Sequence, residues 1–192
     1  MSHKNAPKKG FVLWFTGLPC SGKTTLSGIV AEELLLKGCG VKQFDGDILR
    51  VGVSRDLKYS KADRKQQVYR VTDMVSDFIH NGSVALVSLI SPYRDHRNYA
   101  RKKISSFIEM YVRCPLYVCE SRDIKGMYRL AREGKIRYFT GVSAPYEEPR
   151  NPEIIVDTDK INSQSCAGEI LDFLRHKGYL SDHPLPEKVL EI

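Results

Sequence analysis

The sequence has no apolar run long enough to cross a membrane, since its longest apolar stretches have only the length of a strand. Its beginning, MSHKNAPKKG, is polar and basic and lacks the apolar core of a secretory signal. The five cysteines are scattered, with no C-x-x-C pair and no Cys/His cluster at zinc-ligand spacing. These absences argue against a membrane protein, a disulfide-bonded secreted protein and a zinc protein. We expect a cytoplasmic protein with free thiols and no membrane partner.

What the sequence does contain is a specific phosphate-binding pattern in the run FVLWFTGLPCSGKTT at residues 11–25. It fits G-x-x-x-x-G-K-[ST] with an apolar strand before it and a helix after it, which is the P-loop context. The two glycines let successive N–H groups turn inward around a phosphate. Lys23 can reach the β and γ phosphates, and the Thr24 hydroxyl can ligate Mg²⁺. The pattern predicts a nucleoside triphosphate site, whose loop residues are Gly17, Cys20, Ser21, Gly22, Lys23, Thr24 and Thr25.

The net charge of +7 is consistent with a partner that carries phosphates. The basic residues are spread along the chain and are densest between Arg94 and Arg137. No RNA- or DNA-binding signature accompanies them. We therefore interpret the charge as serving nucleotide phosphates, and we expect no nucleic-acid partner.

Apolar runs alternate with segments of helical periodicity along the chain. The order βαβαβαβαβα predicts an α/β fold of the P-loop NTPase type, with three α/β/α layers and a mainly parallel five-stranded sheet. The predicted strands are 11–15, 41–44, 84–90, 108–112 and 154–156, and the predicted helices are 24–37, 63–81, 98–107, 115–132 and 166–177.

The length of 192 residues predicts one domain, over about residues 10–180. We expect a disordered basic arm at 1–9, an irregular segment at 50–60 and a C-terminal tail at 181–192. A stretch rich in Gly, Pro and aromatic residues, 134–152, has no periodicity and predicts a mobile loop within a flexible lid at about 125–150. Asp45-Gly46-Asp47 follows the second strand, at the sheet edge where ligands bind in this class of fold.

A P-loop alone leaves ATPases, GTPases, transporters and kinases open. The length argues against motor and transporter assemblies, and the N-K-x-D pattern by which switch GTPases read their base is absent. A single domain with a basic, flexible stretch late in the sequence favours a small-molecule kinase, whose arginine-bearing lid closes over the phosphates and excludes water.

Short motifs stand in a fixed order through almost the whole chain. They are W-F-T-G-L-x-x-S-G-K-T-T (14–25), D-G-D-x-x-R (45–50), S-x-x-D-R (60–64), I-S-P-Y-R (90–94), C-P-L-x-V-C-E-x-R-D-x-K-G (114–126), F-T-G (139–141) and P-Y-E-x-P (145–149). Together they resemble the adenylyl-sulfate kinase family, which uses ATP to phosphorylate the 3′-hydroxyl of adenosine 5′-phosphosulfate. The resemblance implies ATP and Mg²⁺ as cofactors, ATP and adenylyl sulfate as substrates, and a homodimer.

The resemblance assigns catalytic roles to Lys23, Asp47 and Ser91. It implies that Asp47 accepts the proton of the attacking hydroxyl, holds Mg²⁺ through water, or does both, with Thr24 as the other metal ligand. Ser91 matches a serine that the family tradition treats as a phosphorylated intermediate. Because a P-loop kinase can transfer directly, we favour a positioning role for Ser91 and leave the phosphoserine open.

On the ATP side, three arginines that lead into the lid are candidates for contacts with the nucleotide: Arg122, Arg129 and Arg132. Of these we take Arg132 into the predicted ATP site. Ile161 joins it, because the segment 158–161 lies where the family approaches the adenine.

The acceptor side of the resemblance combines cations with aromatic rings. Its arginines would bind the phosphosulfate, a task suited to a planar cation. Tyr59 takes the place of a phenylalanine that stacks on the adenine. A lysine and a second aromatic residue belong to the lid. The predicted acceptor residues are Asp47, Arg50, Tyr59, Arg64, Gln67, Arg70, Ile90, Ser91, Lys125 and Phe139.

The chain departs from the family mainly on the acceptor side. Gln67 replaces an asparagine that contacts substrate, Tyr69 replaces one arginine of a pair, Tyr138 replaces a glycine, and Ser143 replaces an acid. Two other functions therefore stay open. One is a related P-loop kinase acting on a different nucleotide-like or sugar hydroxyl, and the other is a catalytically idle module that senses a nucleotide.

Overall fold

The strand that leads into the P-loop lies in the middle of the sheet. In the computed structural model, which describes residues 9–80 and 82–180, five strands pair in the order β2-β3-β1-β4-β5, and every pairing is parallel. This confirms the predicted α/β fold with a parallel five-stranded sheet. The strands are β1 (Phe11–Thr16), β2 (Val41–Asp45), β3 (Val84–Ser88), β4 (Phe107–Arg113) and β5 (Ile154–Asp157).

Helices cover both faces of this sheet, as the alternating pattern predicted. They are α1 (Lys23–Leu36), α2 (Gly46–Val51), α3 (Lys61–Ile79), α4 (Arg94–Lys103), α5 (Leu116–Ser121), α6 (Met127–Arg132) and α7 (Ser163–His176). None of the helices within the described residues is both long and apolar enough to span a bilayer. The terminal arm predicted over 1–9 and the tail over 181–192 lie outside the described residues, apart from Lys9.

The alternation of side chains along β1 divides the core into two layers. Leu13 and Phe15 point to one face and pack with α1 and α7, whereas Val12 and Trp14 point to the other face and pack with α3 and α4. All four are fully buried. Because burial of such a side chain is worth roughly 1.5–3 kcal/mol, the residues before the P-loop hold the loop on a rigid base.

A short helix that the sequence did not predict follows β2, and it overlaps the predicted irregular segment 50–60 only at residues 50 and 51. Asp45 is the N-cap of this helix, α2, and its Oδ1 accepts hydrogen bonds from the backbone N–H groups of Asp47 and Ile48. An aspartate at the N-cap is the signal that would have indicated this helix.

Two other predicted helices have different bounds. The predicted helix 98–107 is wrong at both ends, because α4 begins at Arg94 and residue Phe107 already belongs to β4. The predicted helix 115–132 is two helices, separated around Gly126, whose φ of 66° is left-handed. These breaks matter, because the residues between α5 and α6 lie at the mouth of the site.

Candidate active site

The loop between β1 and α1 has the backbone shape of an anion-binding turn. A Cβ on Gly17 would lie 2.5 Å from the carbonyl oxygen of Val112, so only glycine fits there. Cys20 and Gly22 adopt left-handed φ values of 61° and 99°. Gly22 is the N-cap of α1 and supplies no side-chain cap, which leaves the first N–H groups of the helix free for a ligand. The helix dipole adds to the attraction for a phosphate.

Lys23 is folded back into this loop. Its Nζ donates to the carbonyl oxygens of Leu18 at 2.6 Å and Gly17 at 3.1 Å. Burial lowers the pKa of Lys23 to about 8. A bound phosphate would favour the charged form and raise this pKa again, so the lysine is poised to gain a proton when a nucleotide binds.

One cavity, which we call the donor cavity, opens beside the P-loop and has a volume of about 570 Å³. Arg122 crosses its wall and donates to the carbonyl oxygen of Thr158 at 2.7 Å, while the Thr158 hydroxyl donates to the carbonyl oxygen of Ser21 at 2.9 Å. The P-loop is thereby tied to the loop after β5. The cavity is lined by Cys20, Gly22, Lys23, Thr24, Thr25, Arg122, Thr158, Ile161, Asn162 and Ser163.

The structure distinguishes between the three candidate arginines. Arg122 lines the donor cavity, as does the predicted Ile161. Arg132 does not: its guanidinium donates to Glu120 at 2.6 Å, and with Arg129 it lines a separate depression between α5 and α6. The arginine that the structure brings to the P-loop is therefore Arg122, which follows directly on α5.

A second and larger cavity, the acceptor cavity, meets the first at the P-loop. Its volume is about 830 Å³. Four residues line both cavities: Cys20, Lys23, Thr24 and Arg122. The structure brings nearly all of the predicted acceptor residues to it, namely Asp47, Arg50, Tyr59, Arg64, Gln67, Ile90, Ser91, Lys125 and Phe139.

Two carboxylates stand where the cavities join. Thr24 Oγ1 donates to Asp45 Oδ2 at 2.7 Å, so Asp45 orients the P-loop threonine in addition to capping α2. Asp47 is exposed, and its Oδ2 lies 3.3 Å from Nζ of Lys125 in the lid. Of the pair, Asp47 is thus the carboxylate that faces the open space, while Asp45 is occupied.

Two of the predicted arginines lie close to the same aromatic ring. The guanidinium carbons of Arg50 and Arg64 lie 4.5 Å and 5.6 Å from the ring centroid of Tyr59. Arg50 also donates to the carbonyl oxygens of Leu57 and Lys58, and Arg64 to that of Tyr59. Burial, with a smaller contribution from Arg50, lowers the pKa of Arg64 to about 10. Both arginines remain cations at neutral pH and build the loop that presents the ring.

The structure does not bring Arg70 or Tyr69 into the acceptor cavity. Arg70 forms a two-pronged salt bridge with Asp56, at 2.6 Å and 2.7 Å. Tyr69 stacks on Tyr99 of α4, with ring centroids 3.7 Å apart. The replacement of an arginine at Tyr69 therefore changes an α3–α4 contact, not the cavity wall. Gln67, in contrast, is buried in that wall.

Ser91 is held in place by buried partners. It has a left-handed φ of 37° and is 4% exposed. Its Oγ accepts a hydrogen bond from Trp14 Nε1 at 3.1 Å and donates to Thr16 Oγ1 at 3.2 Å. Thr16 Oγ1 in turn donates to the carbonyl oxygen of Ile90 at 2.7 Å. This arrangement fixes the cavity wall and favours the positioning role.

Sequence reasoning missed the polar residues behind Ser91. Tyr146 OH lies 3.0 Å from Thr16 Oγ1, and Arg97 Nη1 donates to the carbonyl oxygen of Ser91 at 2.6 Å. Arg97 also pairs with Glu109, which is buried in β4. A single glutamate inside an otherwise apolar strand was the available signal, because a buried carboxylate needs a cationic partner.

The predicted lid contributes two aromatic residues to the lining of the acceptor cavity, Tyr138 and Phe139. Phe139 packs edge-on against Tyr128, with centroids 4.8 Å apart. The residue before it, Tyr138, has a left-handed φ of 58°, and its carbonyl oxygen accepts a hydrogen bond from Arg64 at 2.9 Å. The left-handed conformation gives a physical reason for the glycine that the resemblance places at this position.

The comparisons with known proteins agree with this geometry. The sequence model of the family described as adenylylsulphate kinase matches residues 9–157. The chain belongs to this family. It is 45% identical over 183 residues to the adenylyl-sulfate kinase of Halothermothrix orenii, and the match covers 95% of this chain and 97% of that protein. It is 44% identical over 173 residues to the enzyme of Synechococcus sp. (strain JA-3-3Ab), covering 90% and 98%.

A solved structure of the family is similar throughout the domain. The APS kinase CysC of Mycobacterium tuberculosis, in complex with AMPPNP and APS, superposes with a TM-score of 0.82 at 39% identity. The match covers 88% of this chain and 99% of that one. The predicted family resemblance and the P-loop kinase fold are both confirmed.

Proposed function

We propose that this adenylyl-sulfate kinase family member transfers the γ-phosphate of ATP to the 3′-hydroxyl of adenosine 5′-phosphosulfate. The observation that carries the proposal is that the two cavities share Lys23 and Thr24. A triphosphate on the P-loop would end where the acceptor cavity begins, so one hydroxyl bound there can attack directly. Holding two substrates in line supplies much of what phosphoryl transfer requires.

Mg²⁺ fits the residues at this junction. Thr24, oriented by Asp45, and the exposed Asp47 supply hard oxygen ligands. Within residues 9–80 and 82–180 there is no group of three or more His, Cys, Asp or Glu side chains that could hold a metal ion. A Mg²⁺ ion that binds through substrate phosphates, waters and one or two protein oxygens needs no such cage. When bound, it would neutralise charge on the transferred phosphate.

The chain's own groups then have separate tasks. Lys23 and the N–H groups of the P-loop bind the phosphates. Arg122 ties the end of α5 to Thr158 after β5, and the Thr158 hydroxyl in turn donates to Ser21 of the P-loop. Asp47, on the acceptor side, is placed to receive the proton of the attacking hydroxyl or to hold a metal-bound water. Ser91 orients the wall on which the acceptor rests, and no covalent step through its buried hydroxyl is needed.

The acceptor cavity supports a nucleotide with a strongly acidic group. It presents the cations Arg50, Arg64 and Lys125 together with the rings of Tyr59 and Phe139. Cations suit a phosphosulfate, and two rings suit an adenine. A simple sugar acid would use the cations but would leave the rings without a partner, so the sulfate nucleotide is the better match.

A coupled assay with purified protein, ATP, Mg²⁺ and adenylyl sulfate tests the proposal. We expect formation of 3′-phosphoadenylyl sulfate and ADP in equal amounts. Turnover on a different hydroxyl acceptor, with none on adenylyl sulfate, would overturn the substrate assignment. ATP binding without turnover on any acceptor would instead support the idle, nucleotide-sensing module.

Two further properties stay predictions. One is assembly as a homodimer, which light scattering on the purified chain would check. The other is the cytoplasmic location, which fractionation of cells would check.

A further inference from the structure

A buried arginine in α4 joins three separate parts of the molecule. The Arg97 side chain is 2% exposed. Its Nε donates to the carboxylate of Glu109, its Nη1 to the carbonyl oxygen of Ser91 and its Nη2 to the carbonyl oxygen of Glu147, each at 2.6 Å. All three nitrogens of the guanidinium are thus used, in a geometry that no other side chain can reproduce.

One of these three partners lies in the wall of the acceptor cavity, and another lies at the end of the predicted lid. Ser91 forms the wall of the acceptor cavity and has the left-handed φ described above. Glu147 lies where the chain returns from the lid to the domain. The same return segment is held by a hydrogen bond from the Glu147 N–H to the carbonyl oxygen of Pro92 at 2.8 Å, and by one from the Arg94 N–H to the Glu147 carboxylate at 2.9 Å.

The other end of the lid is held on the donor side. Arg122, where the chain leaves α5, donates to the carbonyl oxygen of Thr158 in the wall of the donor cavity. Each end of the lid therefore has an arginine that binds a backbone carbonyl, one beside the donor cavity and one behind the acceptor wall. Arg97 links the acceptor wall to the end of the lid through the carbonyl oxygens of Ser91 and Glu147.

We propose that Arg97 is a positioning residue for the acceptor. By binding the carbonyl oxygens of Ser91 and Glu147 together, it sets the distance between the cavity wall and the lid that carries Phe139. The inference rests on the proposed function, since it concerns the acceptor of that reaction. Loss of this geometry misplaces the acceptor and leaves the P-loop and its nucleotide unaffected.

Pairing of the buried Glu109 carboxylate would not by itself require the contacts of Arg97 with Ser91 and Glu147. The Glu109 carboxylate has a second cationic partner, because Arg101 lies 3.1 Å from its other oxygen and also pairs with Glu153. Among the described residues, the hydrogen bonds of the Arg101 side chain go to Glu109 and Glu153 and none goes to Ser91 or Glu147, so Arg101 belongs to the same ionic network without bonding to the acceptor wall. The chain therefore offers a matched control.

The test compares Arg97→Lys with Arg101→Lys. Lysine keeps the charge beside Glu109 but cannot hold three partners in the guanidinium plane. We expect Arg97→Lys to raise the KM for adenylyl sulfate, or lower kcat, by about tenfold or more, because small misplacements of a substrate cost that much. The KM for ATP should stay within about twofold, and Arg101→Lys should leave all three constants within about twofold.

Each result decides the inference. Equal kinetic changes in both variants, or a rise in the KM for ATP that matches the effect on the acceptor, would overturn it, because either would mean general loosening of the fold. If Arg97→Lys does not fold, Arg97→Gln takes its place, because one amide group cannot donate to both carbonyl oxygens while Arg101 still pairs with Glu109. That variant should show the same selective loss on the acceptor side, and unchanged acceptor constants would overturn the inference. A wild-type protein without turnover on adenylyl sulfate would be a failure of the proposed function instead.

Discussion

The donor and acceptor halves of the site are built in different ways. The phosphate-binding loop of the donor half is local: the Lys23 bonds to Gly17 and Leu18 span six residues between a buried strand and a long helix. Only the wall around this loop is completed from a distance, by the loop after β5. The acceptor half is assembled over long distances, as in the bonds of Ser91 to Trp14 and of Arg64 to Tyr138, which are 77 and 74 residues apart. Because the residues of the P-loop are neighbours in the sequence, the loop can be recognised from the sequence and forms a rigid unit. The acceptor half depends on contacts with the lid, which is distant in the sequence.

The largest effect on activity is expected from a substitution at Asp47. We predict that Asp47→Ala lowers kcat by about 10²–10⁴-fold, the usual contribution of a group that accepts a proton in the transition state. ATP affinity should change little, because the P-loop contacts remain. Steady-state kinetics and equilibrium ATP binding measure the two effects, with Asp77→Ala on the exposed face of α3 as the control. An unchanged kcat would remove Asp47 from the chemistry.

The second-largest effect is expected when substitutions at Arg64 and Arg70 are compared. Arg64 lies in the cavity wall and holds the lid through Tyr138, whereas Arg70 pairs with Asp56 outside the cavity. Arg64→Lys should raise the KM for adenylyl sulfate by on the order of tenfold, since a hydrogen bond to a charged group is worth about 1.5–3 kcal/mol. Arg70→Lys should change it much less. A larger effect at Arg70 would contradict the placement of the acceptor in this cavity.

Ser91→Ala should have a smaller effect. The substitution removes the acceptor of the Trp14 hydrogen bond, which is worth about 1 kcal/mol, so we expect kcat to fall by no more than about tenfold. Rapid-quench measurement of product formation would check this. A complete loss of transfer in a folded Ser91→Ala protein would favour the phosphoserine intermediate.

The lowered pKa of Lys23 predicts that the protein takes up protons when a nucleotide binds. Since burial lowers the pKa of Lys23 to about 8, part of the free protein carries a neutral lysine at slightly alkaline pH. A phosphate favours the cation, so binding of AMPPNP with Mg²⁺ should take up a fraction of a proton near about pH 8.5 and almost none near about pH 7. Calorimetry in buffers of different ionisation enthalpy measures this uptake. The same uptake at both pH values would contradict the assignment to Lys23.

The smallest effect concerns the lid. Tyr138 has a left-handed φ, which costs a residue with a side chain about 1–2 kcal/mol. Tyr138→Gly should therefore stabilise the folded protein by up to about 1 kcal/mol, after subtracting the greater freedom of glycine in the unfolded chain. Arg137→Gly, at a position without a positive φ, should destabilise it. Denaturant unfolding of the two variants would check the difference.

The same contrast explains what could be predicted from the sequence. The P-loop, the parallel sheet and the helices on both of its faces depend on periodicity and spacing within short windows, and these predictions hold. The roles of Arg122 and Arg97 could not be derived this way, because each depends on which carbonyl group the fold brings to it. Arg132 and Arg70 have the right chemistry for the site, but Glu120 and Asp56 engage them elsewhere.

We infer that one continuous site allows direct transfer between substrates held in two adjoining cavities. The most direct measurement uses ATP made chiral at its γ-phosphorus and determines the configuration of the phosphate on the product. A single in-line transfer inverts that configuration, so we predict inversion in 3′-phosphoadenylyl sulfate. Retention of configuration would show two successive transfers, and would contradict a site in which Ser91 only positions the acceptor.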